Sequence, residues 1–303
     1  MKKARLALFI GVICISVFPI LVKLNLTSGL ISAFYRMMFS FIALLPYVLI
    51  TKTFKWPGIK IGLLAALCGV IFGSDVAVWN IAIQESTATQ ASLLTNLSPV
   101  WLGFMALFFL KDKPRTNFWI GTCIAVFGMV VLVGFSIFRN LDFDLGFNFA
   151  VLSGMLYAIY MLLSKFVLKS MDVISFMFMV LAASSIYLGI ISIALNEPFS
   201  DFSTTGWLVL IVQALVCQLL AWLLISYATQ HMRATRVSVS LLGQGLLASI
   251  LAWVFLGEII SFQMVLGGVM LLCGIGITFL DKPLLHKNRF DLKKTKALLL
   301  VKK

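Results

Sequence analysis

The fold is decided by residues 82–128, which read AIQESTATQASLLTNLSPVWLGFMALFFLKDKPRTNFWIGTCIAVFG. Residues 228–274, offset by 146 positions, repeat them without a gap as ATQHMRATRVSVSLLGQGLLASILAWVFLGEIISFQMVLGGVMLLCG. Ten positions are identical, where a composition this biased gives roughly four by chance. Both copies are therefore expected to fold alike. The identical pairs are Ala82/Ala228, Gln84/Gln230, Ala88/Ala234, Thr89/Thr235, Ser92/Ser238, Ala106/Ala252, Phe109/Phe255, Leu110/Leu256, Gly121/Gly267 and Gly128/Gly274.

Each copy belongs to a longer unit of five apolar stretches, and each stretch approaches or exceeds the roughly 20 residues that cross a bilayer as a helix. We predict an all-α integral membrane protein with ten transmembrane helices, arranged as two inverted five-helix repeats. The first repeat covers residues 5–138, the second covers 147–281, and a basic tail follows over 282–303. The ten stretches are 5–24, 31–50, 59–80, 87–110, 117–138, 147–168, 173–195, 206–229, 235–256 and 262–280.

The composition excludes an ordinary soluble domain. Of the 303 residues, 61% are hydrophobic and only 12% are charged, whereas soluble domains carry about 25% charged residues. The net charge of +13 does not indicate nucleic-acid binding, because the basic residues are spread between the apolar stretches. The five cysteines lie inside those stretches without a CxxC pair, so neither a disulfide scaffold nor a metal site is expected.

The basic residues predict the orientation in the membrane. All of the 24 Lys and Arg residues except Lys23, Arg36 and Arg139 lie in the N-terminus, in alternate loops or in the tail. The remaining loops carry mainly acidic residues. By the positive-inside rule, both termini are cytoplasmic. The acidic residues of the opposite side are Glu85, Asp142, Asp144, Glu197, Asp201 and Glu258.

The number of helices in each unit carries a functional implication. Because five is odd, the second unit enters the membrane upside down relative to the first. Inverted repeats are typical of secondary transporters, whose site lies near the midplane between the halves. The alternative is a membrane channel or a sensory scaffold without carrier activity. An enzyme is not expected, because the sequence lacks HExxH, GxSxG and nucleotide-binding motifs.

The repeated stretches resemble the two EamA repeats of the drug/metabolite transporter superfamily, and the resemblance covers about residues 5–281. In the first copy it rests on Ala88-Thr89-x-Ala91-Ser92-Leu93-Leu94, Ser98-Pro99-Val100 and Phe109-Leu110-x-Asp112, followed by Gly121. In the second copy it rests on Leu256-Gly257-Glu258 and Gly267-Gly268. The chain departs from the pattern at Lys111-Asp112, where Gly-Glu is usual, and at Gln244-Gly245, where proline is common.

The resemblance implies a ten-helix basket around a central cavity, with helices five and ten standing outside it. It also implies a secondary transporter, more often an exporter than an importer, of amino acids and related metabolites. Arg36 lies where the family often has an arginine in the second helix. The implied mechanism is alternating access around the cavity.

Two charged residues lie inside predicted helices. Arg36 lies about 8 Å into the second helix, and Asp75 lies about 8 to 11 Å from the same side in the third, at 1.5 Å per residue. A charge at a helix centre costs roughly 2.5–3.5 kcal/mol, and a facing pair would lower that cost. We therefore predict an Arg36–Asp75 pair in the cavity, with Asp75 as the proton-coupling candidate. Snorkelling of Arg36 to the headgroups and a structural role for Asp75 are the alternatives.

Further substrate-binding candidates share faces of the predicted helices. In the fourth helix, the spacing of Thr89, Ser92, Asn96, Pro99 and Gly103 predicts one polar face and a bend at the proline. Aromatic residues with polar groups suit an amphipathic organic substrate, although core packing would explain them too. The remaining candidates are Trp79, Tyr157, Tyr160, Gln213, Gln218, Trp222 and Gln244.

The expected partners are a small-molecule substrate and the lipid bilayer, without nucleic acid and without a cofactor. Whether the protein forms a homodimer is left open by the sequence. The expected location is the cytoplasmic (inner) membrane of a bacterium, with several passes. The predicted cavity carries few charges and is lined by aromatic residues. These properties favour an amino acid or a similar zwitterion as the substrate.

Overall fold

The computed structural model describes residues 2–85, 94–110, 113–134, 145–256 and 261–280. Within these ranges the chain forms helices and no strands, and the helices fall into ten units. We label them α1 (Lys2–Ser16 and Phe18–Lys23), α2 (Gly29–Thr51), α3 (Ile59–Glu85), α4 (Ser98–Phe109), α5 (Thr116–Val133), α6 (Leu145–Val167), α7 (Val173–Ala194), α8 (Thr204–Val212, Gln213–Leu220 and Ala221–His231), α9 (Ala234–Leu241 and Gly243–Leu256) and α10 (Phe262–Thr278).

Eight of the units in the described residues are long and apolar enough to span a membrane, and α4 and α10 are shorter apolar helices. Helix formation satisfies the backbone hydrogen bonds within each segment, as an apolar medium requires. The predicted all-α membrane fold with ten helices is confirmed. The third helix is longer than predicted, because it continues from residue 80 to Glu85. The fifth is shorter and ends at Val133, where Gly134 takes a φ of +105°.

The fourth helix differs most from its prediction. The described helix begins at Ser98, after a turn at residues 96–97. Pro99 therefore lies in the first helical turn, where a missing backbone N–H costs nothing. Residues 94–95 are helical as well, so the predicted bend near Pro99 takes the form of a break at residues 96–97, which interrupts the predicted polar face at Asn96. Thr89 and Ser92 lie outside the described residues.

The packing of the helices follows the internal repeat. The contact between α3 and α6 has its counterpart in the contact between α8 and α1, and the contact of α3 with α7 matches that of α8 with α2. The contact of α4 with α6 matches that of α9 with α1. Three pairs, α2–α7, α4–α9 and α5–α10, are their own counterparts. Two five-helix units related by a pseudo-twofold axis produce this pattern, and their odd helix number makes them inverted.

The α5–α10 pair is held by glycines that the repeat keeps identical. Gly121 lies against the backbone of Gly274, and Gly128 lies against the backbone of Gly267. A Cβ atom on any of these four glycines would come within 3 Å of backbone atoms in the other helix. Small residues allow such close helix approach in membranes. Apart from each other, α5 and α10 pack mainly on α4 and α9, so the pair stands at one edge of the bundle.

Small residues also bring α3 and α6 close to their neighbours. A Cβ atom at Gly69 would lie 2.6 Å from the carbonyl oxygen of Val180 in α7. The Gly69 carbonyl also accepts a hydrogen bond of 2.7 Å from Ser184 Oγ. Gly154 of α6 lies against the backbone of residues 94–95, just before α4. The helices that carry the polar candidates are thereby packed tightly together.

Two glycines of α10 provide a test of this packing. A methyl group at Gly274 would lie 2.6 Å from the Gly121 carbonyl oxygen and 2.8 Å from Ala125 Cα, whereas one at Gly276 would meet nothing within 4 Å. We expect Gly274→Ala to lower the free energy of unfolding by about 1–3 kcal/mol through overpacking. Gly276→Ala should leave it unchanged or raise it. Thermal unfolding in detergent measures the stability of both variants. Equal stability of the two would contradict the close contact of α10 with α5 at Gly274.

Candidate functional site

The guanidinium group of Arg36 lies in the centre of the bundle, with the side chain only 2% exposed. Its Nε donates a hydrogen bond of 2.8 Å to Gln218 Oε1, and an Nη donates one of 3.4 Å to the Cys217 carbonyl. The guanidinium carbon lies 3.9 Å from the ring centroid of Phe18, which is a close cation–π contact. Arg36 therefore binds α8 and α1 rather than snorkelling to the headgroups.

The part of α8 that receives Arg36 is a π-helix, Gln213–Leu220. Its wider turns leave carbonyl groups that side chains of α2 can reach, and π-helical turns are frequent at functional sites. Ser40 Oγ donates to the Ala214 carbonyl at 2.8 Å, and Ser32 Oγ donates to Gln213 Oε1 at 2.9 Å. One face of α2, with a polar residue at every fourth position, thus holds the π-helix in place.

Asp75 lies on α3 at the level of Arg36. The backbone of Gly29, at the start of α2, lies against Asn80 and Ile81 of the antiparallel α3. Arg36 lies seven residues after Gly29 in α2. Seven residues back along α3 from the same contact is the position of residues 73–74, next to Asp75. The predicted match in depth is thus present in the structure.

The predicted direct ion pair is not formed, because the two charged groups take different partners. Asp75 Oδ1 accepts a hydrogen bond of 2.6 Å from Ser153 Oγ of α6, and Arg36 binds α8. Each group is nevertheless close enough for its charge to act on the other. Thr95, just before α4, extends the polar contacts, because its hydroxyl lies 3.5 Å from Ser153 Oγ. The carboxyl group is thus linked to α6 and to the break before α4.

Aromatic rings close the space beside Asp75. One turn below it, Phe72 stacks on Tyr160 with ring centroids 4.5 Å apart and contacts Trp222 of α8 at 4.4 Å. Tyr157 lies one turn beyond Ser153 on α6, and its ring centroid is 6.0 Å from that of Trp222. Except for Phe72, these rings were predicted candidates, and the structure brings them together from three helices.

Several polar atoms of this region are buried without a hydrogen-bond partner. They are the indole nitrogens of Trp79 and Trp222, the amide nitrogen of Gln218 and the hydroxyl of Tyr157. An unpaired buried polar group costs about 1–3 kcal/mol, so four of them in one region require an explanation. All four can donate a hydrogen bond, and a ligand rich in acceptor atoms would satisfy them. We refer to Arg36, Asp75, Tyr157, Gln218 and Trp222 as the central site.

The remaining candidates lie at its margins or away from it. Trp79 stacks on Phe18 at 5.1 Å and so reaches the side of Arg36. Gln213 lines a small cleft with Ser32 and Gln84, on the side of the bundle opposite the N-terminus. Asn96 and Pro99 lie at the start of α4. Gln244 lies in the second part of α9, Gly243–Leu256, which packs against α1, α5 and α10. Ser92 lies outside the described residues.

Sequence reasoning missed Ser32 and Ser40, the rings of Phe18 and Phe72, and the partner of Asp75. Ser32 and Ser40 share the face of Arg36, and their spacing of four residues in an apolar helix was a usable signal. Phe18 gave no signal, because a phenylalanine in an apolar helix is ordinary. Ser153 was visible on the face of Tyr157, but its bond to Asp75 joins residues that are 78 positions apart.

Comparison with known families now identifies the architecture. The profile described as the EamA-like transporter family matches residues 2–134 and again residues 144–280. The chain belongs to the EamA-like transporter family. The two matches correspond to the two inverted five-helix units, as the resemblance in the sequence implied.

Relatives of this EamA-like chain include two named as uncharacterized transporters. The transporter YdfC of Bacillus subtilis (strain 168) is 24% identical over 273 residues, covering 88% of each chain. A transporter of Clostridium kluyveri is 26% identical over 318 residues, covering 97% of each. A solved crystal structure superimposes with a TM-score of 0.76 at 14% identity, over 92% of this chain and 97% of that one. That likeness shows the fold alone, whereas the family assigns a transporter role.

Arg36→Lys tests the anchoring of the π-helix in this EamA-like protein. Lysine keeps the charge but lacks the planar group that lies over Phe18 while donating to Gln218 and Cys217. We expect the free energy of unfolding to fall by about 2 kcal/mol, because buried acceptors lose a charged donor. The control is Arg5→Lys, where the guanidinium lies 5.4 Å from the ring of Phe279. Thermal unfolding that is equally affected in both variants would contradict the anchoring role.

Proposed function

We propose that this protein is a secondary transporter that exports a small polar metabolite, such as an amino acid or a derivative, by alternating access. The observation that carries the proposal is the central site. It lies between two inverted repeats, where unpaired hydrogen-bond donors from α6 and α8 surround one carboxyl and one guanidinium group. Such a site at the interface of the repeats is where a secondary transporter binds its substrate.

The chemistry of the central site supports a zwitterionic substrate. The unpaired donors of Tyr157, Gln218 and Trp222 are complementary to a carboxylate, which only accepts hydrogen bonds when ionised. Asp75 supplies the opposite charge for an ammonium group. The neighbouring rings of Phe72 and Tyr160 offer an apolar wall for the rest of the molecule.

Asp75 is also the proposed coupling group for protons. Among the described residues, Asp75 carries the one buried carboxyl group. It lies inside the helix bundle of a chain that belongs to a transporter family. Asp75 forms no direct ion pair with Arg36, and Ser153 donates a hydrogen bond to its Oδ1. The other carboxyl oxygen is therefore available for a proton or for substrate. Export then follows from proton binding at Asp75 in exchange for the substrate.

The orientation that we propose places both termini in the cytoplasm of a bacterium, with the helices in the inner membrane. The distribution of Lys and Arg supports it, because cytoplasmic loops carry an excess of these residues. Under this orientation, the cleft that Gln213 and Gln84 line opens on the outer side.

Counterflow in proteoliposomes tests the function. Vesicles are preloaded with a pool of unlabelled amino acids, and uptake of one labelled member is followed with and without a pH gradient. We expect saturable counterflow that the gradient stimulates, and we expect Asp75→Asn to remove the stimulation because the amide cannot bind a proton at neutral pH. The matched control is Asp201→Asn, which changes an exposed carboxyl group at a φ of +70° that asparagine tolerates.

Uptake that shows no counterflow would favour a channel. If counterflow is saturable but Asp75→Asn and Asp201→Asn respond equally to the gradient, the assignment of Asp75 is wrong while the carrier stands.

Removal of a single unpaired donor tests the central site. Tyr157→Phe deletes a hydroxyl that has no partner in the protein and keeps the ring beside Trp222. We expect the unfolding temperature to stay the same or rise, because a buried unpaired group is removed. We expect the KM for transport to rise about twofold to tenfold, since one hydrogen bond is worth about 0.5–1.5 kcal/mol.

The control for this variant is Tyr35→Phe, because the hydroxyl of Tyr35 donates to the Phe199 carbonyl. This control should lose stability and keep its KM. A loss of stability in Tyr157→Phe with an unchanged KM would contradict the placement of substrate at Tyr157.

A further inference from the structure

Gln84, at the end of α3, joins three points of the linker between α1 and α2. Its Oε1 accepts a hydrogen bond of 2.8 Å from the backbone N–H of Gly29. Its Nε2 lies 2.9 Å from Asn25 Oδ1 and 3.1 Å from the Thr27 carbonyl oxygen, and it donates to both. One side chain therefore fastens α3 to the α1–α2 linker and to the start of α2.

Gln230, at the end of α8, makes a similar linker contact through its amide nitrogen in the second repeat. Its Nε2 donates to the carbonyl groups of Leu168, at 3.0 Å, and Met171, at 3.2 Å, in the linker between α6 and α7. Both carbonyls lie beyond the end of α6 at Val167. The side chain fastens α8 to the α6–α7 linker as Gln84 fastens α3 to the α1–α2 linker.

The two glutamines are related by the internal repeat. Gln84 and Gln230 are an identical pair at the offset of 146. Counting the helices along the chain, α3 ends on the side opposite the N-terminus, whereas α8 ends on the same side as the N-terminus. Equivalent residues thus make equivalent linker contacts at opposite surfaces of the membrane. The two glutamines share the repeat position and an amide nitrogen that donates into the linker before the next helix, and Gln84 adds the bond that its Oε1 accepts from Gly29.

We propose that Gln84 and Gln230 are the paired latches of the transport cycle, each closing one mouth of the central site when its linker contacts are made. The proposal rests on the alternating access of the proposed function. Release of the Gln84 latch frees α3, which carries Asp75, from the linker beside the cleft of Ser32 and Gln213. Release of the Gln230 latch frees α8, which carries Gln218 and Trp222, from α6 on the other side.

Each latch has a charge-assisted hydrogen bond beside it, and such bonds are about twice as strong as neutral ones. Lys165 Nζ donates to the carbonyls of Thr229, Gln230 and Met232 at 2.6 to 3.1 Å at the end of α8. On the other side, Ser28 Oγ donates to Glu197 Oε2 at 2.6 Å, in the linker that Gln84 binds.

Hydrogen exchange of the full chain in lipid nanodiscs tests the proposal without a known substrate. We expect Gln84→Leu to speed amide exchange about fivefold in the linker at residues 24–28, and to slow exchange by a similar factor at residues 168–172 across the membrane. The slowing is the decisive readout, because a shift toward one open mouth closes the other. Gln230→Leu should give the reverse pattern. In the double variant, the ratio of the exchange rates of the two linkers should return toward the wild-type value.

The matched control is Gln263→Leu, which removes a 2.8 Å bond between the Gln263 amide of α10 and the Val131 carbonyl of α5. It should change exchange only near that contact. Asn25→Gly is the second variant, since it removes one acceptor of Gln84 at a φ of +48° that glycine adopts freely. It should shift exchange in the same direction as Gln84→Leu.

Faster exchange beside each substituted glutamine, without slower exchange on the far side, would overturn the latches and leave them as local structural contacts. That result is separable from the function, because wild-type counterflow is measured on its own. Reciprocal exchange in a protein that shows no counterflow would keep the latches and contradict the proposed substrate class.

Discussion

The burial of one permanent charge, that of Arg36, is the constraint on which the interior depends. A guanidinium group cannot lose its proton in a protein, so the apolar interior must surround it with acceptors. The π-helix of α8 supplies them through Gln218 and the Cys217 carbonyl, and Phe18 of α1 covers the face of the group. The same face of α2 then fixes the π-helix at two further points, through Ser32 and Ser40. The irregular part of α8, which carries Gln218 of the central site, exists in the form that accommodates this charge.

The second organising feature is the pseudo-twofold relation of the repeats, and it appears at three levels. Identical glycines let the backbones of α5 and α10 touch at the axis. Equivalent helix pairs make equivalent contacts. Equivalent glutamines fasten equivalent linkers on opposite surfaces. The charges break the symmetry, because Arg36 and Asp75 both belong to the first repeat. The two halves are thus alike in their helix packing and linker contacts and different in their buried charges.

Much of the fold was predictable from the sequence, and the errors have identifiable physical causes. The length of the apolar stretches and the repeat predicted ten helices in two inverted units. The start of α4 was misjudged because apolar periodicity does not distinguish a proline in the first helical turn from one in the middle of a helix. The depth of Arg36 and Asp75 followed from the rise per residue, but the direct pair between them did not form. Depth restricts which groups can meet, whereas the partner also depends on the rotation of each helix about its axis.

The sequence by itself determined the membrane class, the number of helices, the inverted repeat and the residue types available for a site, because these depend on hydropathy, charge and identity along the chain. Only the tertiary structure decided that Ser153 bonds Asp75, that Phe18 lies on Arg36 and that Gln84 and Gln230 make matching contacts. Such pairings join residues far apart in the chain. They depend on how helices rotate and cross, which is set by side-chain packing summed over many neighbours and leaves no local pattern in the sequence.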